Sequence, residues 1–145
     1  MSKLKFQKVN DLSFSKEIYE ISIDPISRKF SKNTKKFTFS SHVKWLKNII
    51  SSKKNNIFLF KNEKKIIGFI ILKKKTKHRY LSWAINPKLR GFSFGKKMLK
   101  SFINKYPKKY VAEIKDENFI SQKLCLKCGF KFLKKKGKYN IYCVI

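Results

Sequence analysis

Apolar and polar residues alternate along much of the chain, in short runs that end at turn residues. Alternation of this kind, and short uninterrupted apolar runs, are typical of β-strands. The pattern predicts seven strands: KLKFQKVN, NIFLFK, KIIGFIILKKK, RYLSWAIN, KYVAEIK and the two arms of FKFLKKKGKYNIYCV. The polar turn NEKK joins the second and third strands in a hairpin, and Gly137 turns the last hairpin.

Apolar residues at helical spacing predict four helices between these strands. The first covers residues 12–23, and the second begins after a cap at Ser40 or Ser41. The third runs from about residue 94 to residue 106. The fourth is FISQKLCLKCG, in which Gly129 suits the position just after the helix end.

The segment ISRKFSKNTKKFTFSS, between the first two helices, has no clean period and is predicted to be a loop. The order of elements is then β α α β β β α β α β β, with no linker, repeat or second domain. This order predicts one domain over residues 1–145, of the α/β (α+β) class, with a sheet covered by helices.

The composition favours an ordered globular protein and argues against a nucleic-acid partner. Hydrophobic residues make up 42% of the chain and aromatic residues 15%, which suits a folded core. The net charge of +29 would suit phosphate binding. However, only three of the 37 basic residues are Arg, the side chain that makes bidentate contacts with bases and phosphates. We interpret the charge mainly as compositional drift toward Lys, and a basic nucleic-acid or ribosome-associated module is the alternative of a different class.

The sequence predicts no leader, membrane segment or metal site. The start MSKLKFQKVN lacks the apolar core of a signal peptide, and the longest apolar run, IIGFIIL, is far shorter than the ~20 residues that span a bilayer. We therefore expect a cytoplasmic protein without a membrane partner. Three cysteines do not suggest a disulfide framework, and the C-x-x-C of Cys125 and Cys128 lacks the further ligands that zinc needs.

The stretch NPKLRGFSFGKKMLKSF has the layout of a phosphate-binding site. It places Arg90, Gly91 and Gly95 between a strand and an amphipathic helix. Glycines allow the backbone to approach a ligand closely, and the free N–H groups and dipole of the first helical turn favour an anion. Lys96 and Lys97 would oppose the dipole unless an anion lay between them. A plain strand-to-helix turn with a solvated lysine pair is the alternative.

Two motifs make the sequence similar to the GCN5-related N-acetyltransferases, the GNAT superfamily. RGFSFG resembles the family signature of Arg or Gln, two residues, Gly, one residue, and Gly or Ala, with Ser93 in place of the middle Gly. NFISQKLCLKCGFK resembles the second motif of the family. The residues that match this second motif are Asn118, Ser121, Leu124, Lys127, Gly129 and Phe130. Two motifs in the right order and context are far more specific than either alone.

This resemblance implies a mixed, mostly antiparallel central sheet, flanked by helices, whose central strands LSWAI and YVAEIK splay apart. The pantetheine arm of acetyl-CoA, the co-substrate, would lie in the gap, and its pyrophosphate would bind the loop before the third helix. The residues assigned to acetyl-CoA by the resemblance are Trp83, Ala84, Ile85, Arg90, Gly91, Phe92, Ser93, Phe94, Gly95, Lys96, Asn118 and Ser121. No metal is expected to take part.

The front of the chain resembles a narrower group that acetylates amino sugars on nucleotide carriers, in pathways to pseudaminic and legionaminic acids. That group shows Asp-Pro, an Arg, a Ser a few residues on and His-x-x-Trp, and SIDPISRKFSKNTKKFTFSSHVKWL has each of them. The resemblance assigns Arg28, Ser31, His42 and Trp45 to a nucleotide-linked amino sugar as the acceptor. A protein N-terminus, an antibiotic and a polyamine are alternatives, of which the polyamine is disfavoured because it would meet few acidic residues.

The catalytic residues are predicted from the chemistry that acetyl transfer to an amine requires. The amine must lose a proton and the departing thiolate must gain one. Glu113 interrupts an apolar strand and is the candidate base, with a structural ion pair as the alternative role, and Ser82 lies where the family often places a polar residue near the amine. Cys125 stands in place of the family's thiolate-protonating Tyr, with a structural role in its helix as the alternative, and Tyr139 or Tyr142 could substitute for it as the acid. The sequence leaves the oligomeric state open, and a homodimer is one assembly compatible with it.

Overall fold

Seven strands and five α-helices build residues 4–144, the part of the chain that the structure, a computed structural model, describes. The strands are β1 (Leu4–Lys8), β2 (Asn55–Asn62), β3 (Lys65–Lys75), β4 (His78–Ile85), β5 (Tyr110–Lys115), β6 (Lys131–Lys136) and β7 (Tyr139–Val144). The helices are α1 (Ser15–Ser22), α2 (Pro25–Phe30), α3 (Phe39–Ser51), α4 (Phe94–Lys105) and α5 (Phe119–Lys127), and a 3-10 turn lies at Pro87–Leu89. The predicted first strand begins at Lys3, which lies outside the described residues. None of the described helices is long and apolar enough to cross a membrane.

All seven strands pair in one sheet of order β1-β2-β3-β4-β5-β7-β6. Every neighbouring pair is antiparallel except β4 and β5. The parallel pair is in register only at Arg79 with Tyr110 and at Tyr80 with Val111, whereas β4 pairs with β3 along its whole length. The prediction of a mostly antiparallel sheet with splayed central strands is confirmed.

Helices cover both faces of the sheet because successive strand residues point to opposite sides. On the face that we call the α4/α5 face, Phe102 of α4 packs against Tyr110 of β5, with ring centroids 5.7 Å apart. On the other side, the α1–α3 face, the fully buried Ile18 of α1 and Leu46 of α3 pack in one cluster with Leu59 of β2. The gap between β4 and β5 is therefore bordered by a different set of helices on each face.

One helix is not expected from the sequence. Residues Pro25–Phe30 form α2, so the prediction of a loop is wrong for residues 26–30. The side chain of Asp24 caps this helix by accepting hydrogen bonds from the N–H groups of Ile26 at 3.1 Å and Ser27 at 3.3 Å. Pro25 occupies the first helical position, where its missing N–H costs nothing. Six residues make too few turns to show a helical period, so only the cap could have revealed this helix.

The ends of the other helices and turns follow the residue types, with two shifts at helix starts. The first helix begins at Ser15, three residues later than predicted. Thr38, rather than Ser40 or Ser41, caps α3, because its side-chain oxygen accepts a hydrogen bond from the N–H of Ser41 at 3.1 Å. Gly129 and Gly137 have φ angles of 94° and 58°, which confirms their predicted places after α5 and in the last hairpin.

Candidate active site

A gap opens in the middle of the sheet where β4 and β5 diverge. After Tyr80 and Val111 the two strands form no further pairs within the described chain, so residues 81–85 have one backbone edge without a neighbouring strand. Ser82, in the middle of this central strand, is exposed. An extended ligand can pair with such an edge, and the resemblance places pantetheine there.

The loop before α4 offers backbone N–H groups to an anion. Asn86 begins it, and its carboxamide oxygen accepts a hydrogen bond from the N–H of Lys88 at 3.1 Å. Gly91 has a φ of 85°, and an added Cβ would have no atom within 4 Å, so the backbone is open at this point. Ser93, the N-cap residue of α4, makes no side-chain cap, and Lys96 is exposed in the first turn. The N–H groups of this turn are therefore available to a negatively charged ligand.

The side chain of Arg90 ties this loop to α2. Its Nη2 atom lies 2.8 Å from Oδ2 of Asp24 and donates to Oγ of Ser27 at 3.3 Å. Burial alone would raise the pKa of Asp24, but the hydrogen bonds from Arg90 and from the helix N–H groups lower it, so the carboxylate stays charged. The resemblance assigns Arg90 to acetyl-CoA. While Nη2 is bound to Asp24, the backbone N–H of Arg90 is one group that could make that contact.

Gly95 and the second motif have packing roles besides the cofactor contacts predicted for them. A Cβ at Gly95 would lie 3.1 Å from Cδ2 of Leu124 and 3.8 Å from Cγ1 of Ile85, so the missing side chain lets α4 pack closely on α5 and β4. Asn118 caps α5 by accepting a hydrogen bond from the N–H of Ser121 at 3.2 Å. Their direct contact with acetyl-CoA stays a prediction.

The aromatic residues assigned to acetyl-CoA lie in two different environments. Trp83 points to the α4/α5 face, where its ring centroid lies 6.4 Å from that of Phe130, whereas its neighbour Ala84 points to the α1–α3 face. Phe92 is exposed in the loop, and its ring centroid lies 6.4 Å from that of Phe94. Only Phe92, in the loop, and Phe94, at the start of α4, therefore lie where the pyrophosphate would bind.

Replacing Ser93 with Gly is expected to stabilise the protein. Ser93 has a φ of 63°, a left-handed conformation that costs a non-glycine residue about 1–2 kcal/mol. Glycine removes this cost, but the greater conformational freedom of glycine in the unfolded chain costs about 0.5–1 kcal/mol of stability, so we expect a net gain of up to about 1.5 kcal/mol. Thermal unfolding, with and without acetyl-CoA, measures the gain. Ser93→Ala is the control, because it removes the hydroxyl and keeps the strain, and a loss of stability in Ser93→Gly alone would contradict the prediction.

Three of the predicted catalytic residues lie on the α1–α3 face. Ser82 and Glu113 are each two residues beyond the last paired residues of β4 and β5, so their side chains point to the same side. Tyr139 pairs with Lys115, which shares the face of Glu113. We call Ser82, Glu113 and Tyr139 the acceptor face. The Nζ atom of Lys32 lies 3.0 Å from Oε1 of Glu113, so the ion pair considered as the alternative role of Glu113 is present.

Cys125 and Tyr142, the other proton donors considered, lie on the opposite face of the sheet. Cys125 is fully buried and its Sγ donates to the carbonyl of Gln122 at 3.3 Å. Burial, together with the neighbouring Cys128, raises the pKa of Cys125 to about 12. Such a thiol gives up its proton poorly to a thiolate of ordinary basicity, which argues against Cys125 as the acid. Tyr142 is also buried and donates to Oε1 of Gln122 at 3.0 Å, so Tyr139 is the donor that the geometry favours.

Arg28 and Ser31, predicted to bind the acceptor, hold the residues between α2 and α3, which we call the α2–α3 segment. The guanidinium of Arg28 donates to the carbonyl of Ser22 at 2.7 Å, to Oγ of Ser31 at 3.1 Å and to the carbonyl of Asn33 at 2.9 Å. It also lies over the ring of Phe37, 4.6 Å from the centroid. These contacts shape the segment next to the acceptor face, and direct contact of Arg28 or Ser31 with a substrate stays a prediction.

His42 and Trp45, the other two residues predicted to bind the acceptor, belong to an aromatic cluster. His42 is 2% exposed, and its ring centroid lies 5.9 Å from that of Phe37 and 5.5 Å from that of Trp45. Its Nε2 atom is buried without a hydrogen-bond partner among the described residues, and burial lowers the pKa of the imidazole, which keeps it neutral. Through Phe37, which stacks on His42, this cluster packs against the α2–α3 segment.

Three residues near the site are missed by sequence reasoning. An added Cβ at Gly68 would lie 2.4 Å from the carbonyl oxygen of Ala84, and a glycine inside an apolar strand is a known sign of close backbone approach. Lys73 is half-buried opposite Tyr80 and so shares the α1–α3 face. Lys32 meets Glu113 from far away in sequence. Among so many lysines, no local pattern marks either of these two.

Comparison with known proteins agrees with this fold. The sequence matches the model of the Acetyltransferase (GNAT) family over residues 16–130. The structure is similar to a spermidine N-acetyltransferase from Vibrio cholerae in complex with CoA and spermine, with a TM-score of 0.81, 13% identity and coverage of 97% of this chain and 92% of that one. It is similar to RimL, a ribosomal L7/L12 alpha-N-protein acetyltransferase in complex with coenzyme A, with a TM-score of 0.84, 12% identity and coverage of 100% and 95%. It is also similar to the N-acetyltransferase PseH from Campylobacter jejuni, with a TM-score of 0.76, 17% identity and coverage of 97% and 96%. No protein of curated function matches the sequence.

The family match covers the gap between the central strands, the loop before α4 and the motif on α5. At these low identities the structural likeness shows the fold, while the family match shows the family. Within residues 4–144 no group of three or more His, Cys, Asp or Glu side chains could hold a metal ion. The chain belongs to the acetyltransferase (GNAT) family, and it is an N-acetyltransferase.

Proposed function

We propose that the protein acetylates the primary amino group of a nucleotide-linked amino sugar. The proposal rests on the charges around the acceptor face, where one carboxylate lies among several ammonium groups. Glu113 contacts Lys32 at 3.0 Å, and Lys115, two residues further along β5, donates from Nζ to the carbonyl of Lys29 at 2.9 Å. Lys73 reaches the same face from β3. A surface of this kind attracts the diphosphate of a nucleotide sugar.

The position of Lys73, half-buried among other lysines, is the observation that carries the proposal. Its partial burial lowers the pKa of its ammonium group, and the positive charges of Lys75 and Lys32 lower it further. Within the described chain no carboxylate forms an ion pair with Lys73. A bound anion would offset both the cost of burying the ammonium group and its repulsion by the neighbouring lysines, because it would form a charge-assisted hydrogen bond with Lys73.

The acceptor face supplies the groups that the transfer needs. Glu113 accepts a proton from the amino group of the sugar, and the hydroxyl of Ser82 orients that group. Tyr139 donates a proton to the departing thiolate. The backbone edge of β4 and the N–H groups of the loop before α4 hold acetyl-CoA, so most of the rate enhancement comes from positioning.

A polyamine acceptor fits this face less well than a nucleotide sugar. One structural neighbour is a spermidine N-acetyltransferase, and spermidine carries several positive charges. Lys32, Lys73 and Lys115 would repel such a substrate, and one carboxylate, already paired with Lys32, would attract it. The charges on the acceptor face therefore support an anionic acceptor.

The proposal places the reaction in the cytoplasm. Cys125, Cys128 and Cys143 are free thiols, as is usual in a reducing compartment. The homodimer and the single domain over residues 1–145 stay predictions from the sequence.

The test begins with calorimetric titration of the purified protein with acetyl-CoA and continues with a thiol-release assay on UDP-linked amino sugars. We expect binding, and thiol release that requires the free amino group of the sugar. The same amino sugar without its nucleotide should show a KM at least about tenfold higher, which corresponds to ~1.4 kcal/mol. Equal KM values for the two would contradict recognition of the diphosphate, and binding without release on any nucleotide sugar would overturn the proposed acceptor.

A variant of Lys73 connects this test to the structure. Lys73→Gln should raise the KM of the nucleotide sugar about tenfold, the effect of one charge-assisted hydrogen bond, and should leave the affinity for acetyl-CoA unchanged. Lys74→Gln is the matched control, because Lys74 is the exposed neighbour that points to the opposite face. If both variants keep the KM of the wild type, Lys73 does not bind the acceptor.

A further inference from the structure

Lys32 presents an amine of this chain to the acceptor face. Its Nζ atom lies 3.0 Å from Oε1 of Glu113 and 5.7 Å from the ring centroid of Tyr139. These are the two groups to which the proposed function assigns the roles of base and acid. An acceptor amine must come within hydrogen-bond distance of the base before it can lose its proton, and the amine of Lys32 already lies at that distance.

The backbone around Lys32 is held in place from both sides. Arg28 donates to Oγ of Ser31, the preceding residue, and to the carbonyl of Asn33, the following residue. Lys115 of β5 donates to the carbonyl of Lys29 at 2.9 Å. The end of α2 is thus fixed to β5, and Arg28 holds the residues on both sides of Lys32, so the side chain of Lys32 can move while its backbone stays in place.

Exposure of Lys32 allows its ion pair with Glu113 to open and close. The side chain of Lys32 is 59% exposed, whereas that of Glu113 is 19% exposed. A pair of this kind contributes little to stability, so Lys32 can leave the carboxylate at low cost. Lys32 therefore does not block the site permanently, and it competes with an acceptor for Glu113.

We propose that Lys32 is a site of self-acetylation, an inference that rests on the proposed role of Glu113 as the base. Glu113 removes a proton from the ammonium group of Lys32, and the nitrogen forms a bond to the carbonyl carbon of the acetyl thioester. The carbon–sulfur bond breaks, and its electron pair leaves with sulfur. The thiolate takes a proton from Tyr139, and the second proton of the nitrogen, released as the amide forms, passes through water to the tyrosinate and restores Tyr139. The products are N-acetylated Lys32 and free CoA. Acetylation removes the positive charge of Lys32 and with it the ion pair to Glu113.

The experiment incubates the protein with acetyl-CoA in the absence of an acceptor and maps acetylated peptides over time by mass spectrometry. Lys29, Lys35 and Lys36 are nearby internal controls for uncatalysed acetylation. We expect Lys32 to be modified at least about tenfold faster than these lysines, within the range of general-base catalysis, and at a rate independent of protein concentration. Glu113→Gln should reduce Lys32 to the rate of the controls. Equal rates at all four lysines in the wild type would overturn the inference.

A parallel assay separates this inference from the proposed function. The same preparation is titrated with acetyl-CoA and assayed for thiol release with the nucleotide sugar. Release with the sugar while Lys32 stays at the background rate would overturn self-acetylation and leave the proposed function intact. Selective acetylation of Lys32 without release on any nucleotide sugar would support the inference and refute the proposed acceptor.

Discussion

Replacing Glu113 with Gln is expected to lower the kcat of acetyl transfer about 100-fold or more, while the affinity for acetyl-CoA stays unchanged. An amide has the shape of the carboxylate but cannot accept a proton, and loss of a positioned base typically costs a factor of 10² to 10⁴. Glu113 lies on the acceptor face, and neither the unpaired edge of β4 nor the loop before α4 includes it, so we expect the change to affect the amine rather than the cofactor. The rate loss should shrink as the pH rises, because more of the amine is then already unprotonated.

The fold should tolerate this change. Glu113 loses its ion pair with Lys32, but the ammonium group of Lys32 is 59% exposed and remains solvated, so the cost in stability is small. Thiol release over a range of pH measures the kcat, calorimetry measures the affinity for acetyl-CoA, and thermal unfolding measures the stability. Glu117→Gln is the matched control, because Glu117 is exposed in the turn after β5. A folded Glu113→Gln variant with the wild-type kcat at neutral pH would leave Glu113 with a structural role only.

The strands of the sheet could be predicted because each depends on residues that are adjacent in the sequence. Alternation of apolar and polar residues defines each strand, and the residue types at the turns define the hairpins. α2 is not predicted from the sequence because Asp24 and Pro25 also suit the end of the preceding helix. In the structure the same two residues also begin the next helix, through the cap and the first helical position.

The loop that we propose for the cofactor could be located in the sequence, because one continuous stretch carries it. The loop from Arg90 to Gly95 has its glycines and the start of α4 in the order that anion binding requires. Even here, spacing alone could not show that the guanidinium of Arg90 binds Asp24, since that contact depends on how α2 packs against the loop.

The acceptor side depends on contacts between residues that are distant in sequence, and spacing does not determine these. The motif residue Arg28 donates to the carbonyl of Ser22 and to Oγ of Ser31, and His42 is enclosed by aromatic rings, and the sequence could not show either set of contacts. Lys32 and Lys73, in contrast, belong to no motif and reach the site because the α2–α3 segment and β3 bring them there. Burial of Cys125 likewise follows from packing of α5 on the sheet.

Replacing Gly68 with Ala is expected to lower the affinity for acetyl-CoA at least about tenfold and to destabilise the fold. An added Cβ would lie 2.4 Å from the carbonyl oxygen of Ala84 and 3.2 Å from Cα of Ile85. Both are backbone atoms, so no side-chain rotation can relieve the clash, and β3 and β4 must separate. Overpacking in a core typically costs about 1–3 kcal/mol.

The clash should affect the cofactor because of where β4 can move. On the side of β3, β4 is paired along its whole length, and on the side of β5 it is unpaired beyond Tyr80. The strand will therefore be displaced toward the gap, which narrows the space for pantetheine and shifts the backbone groups that would pair with it. Calorimetry with acetyl-CoA and thermal unfolding measure both effects. Gly137→Ala is the control, because Gly137 has a φ of 58° and an added Cβ would meet no atom within 4 Å, so it should cost about 1 kcal/mol of stability without changing affinity. A Gly68→Ala variant with wild-type affinity and unfolding temperature would show that β4 moves without cost and that its position does not control cofactor binding.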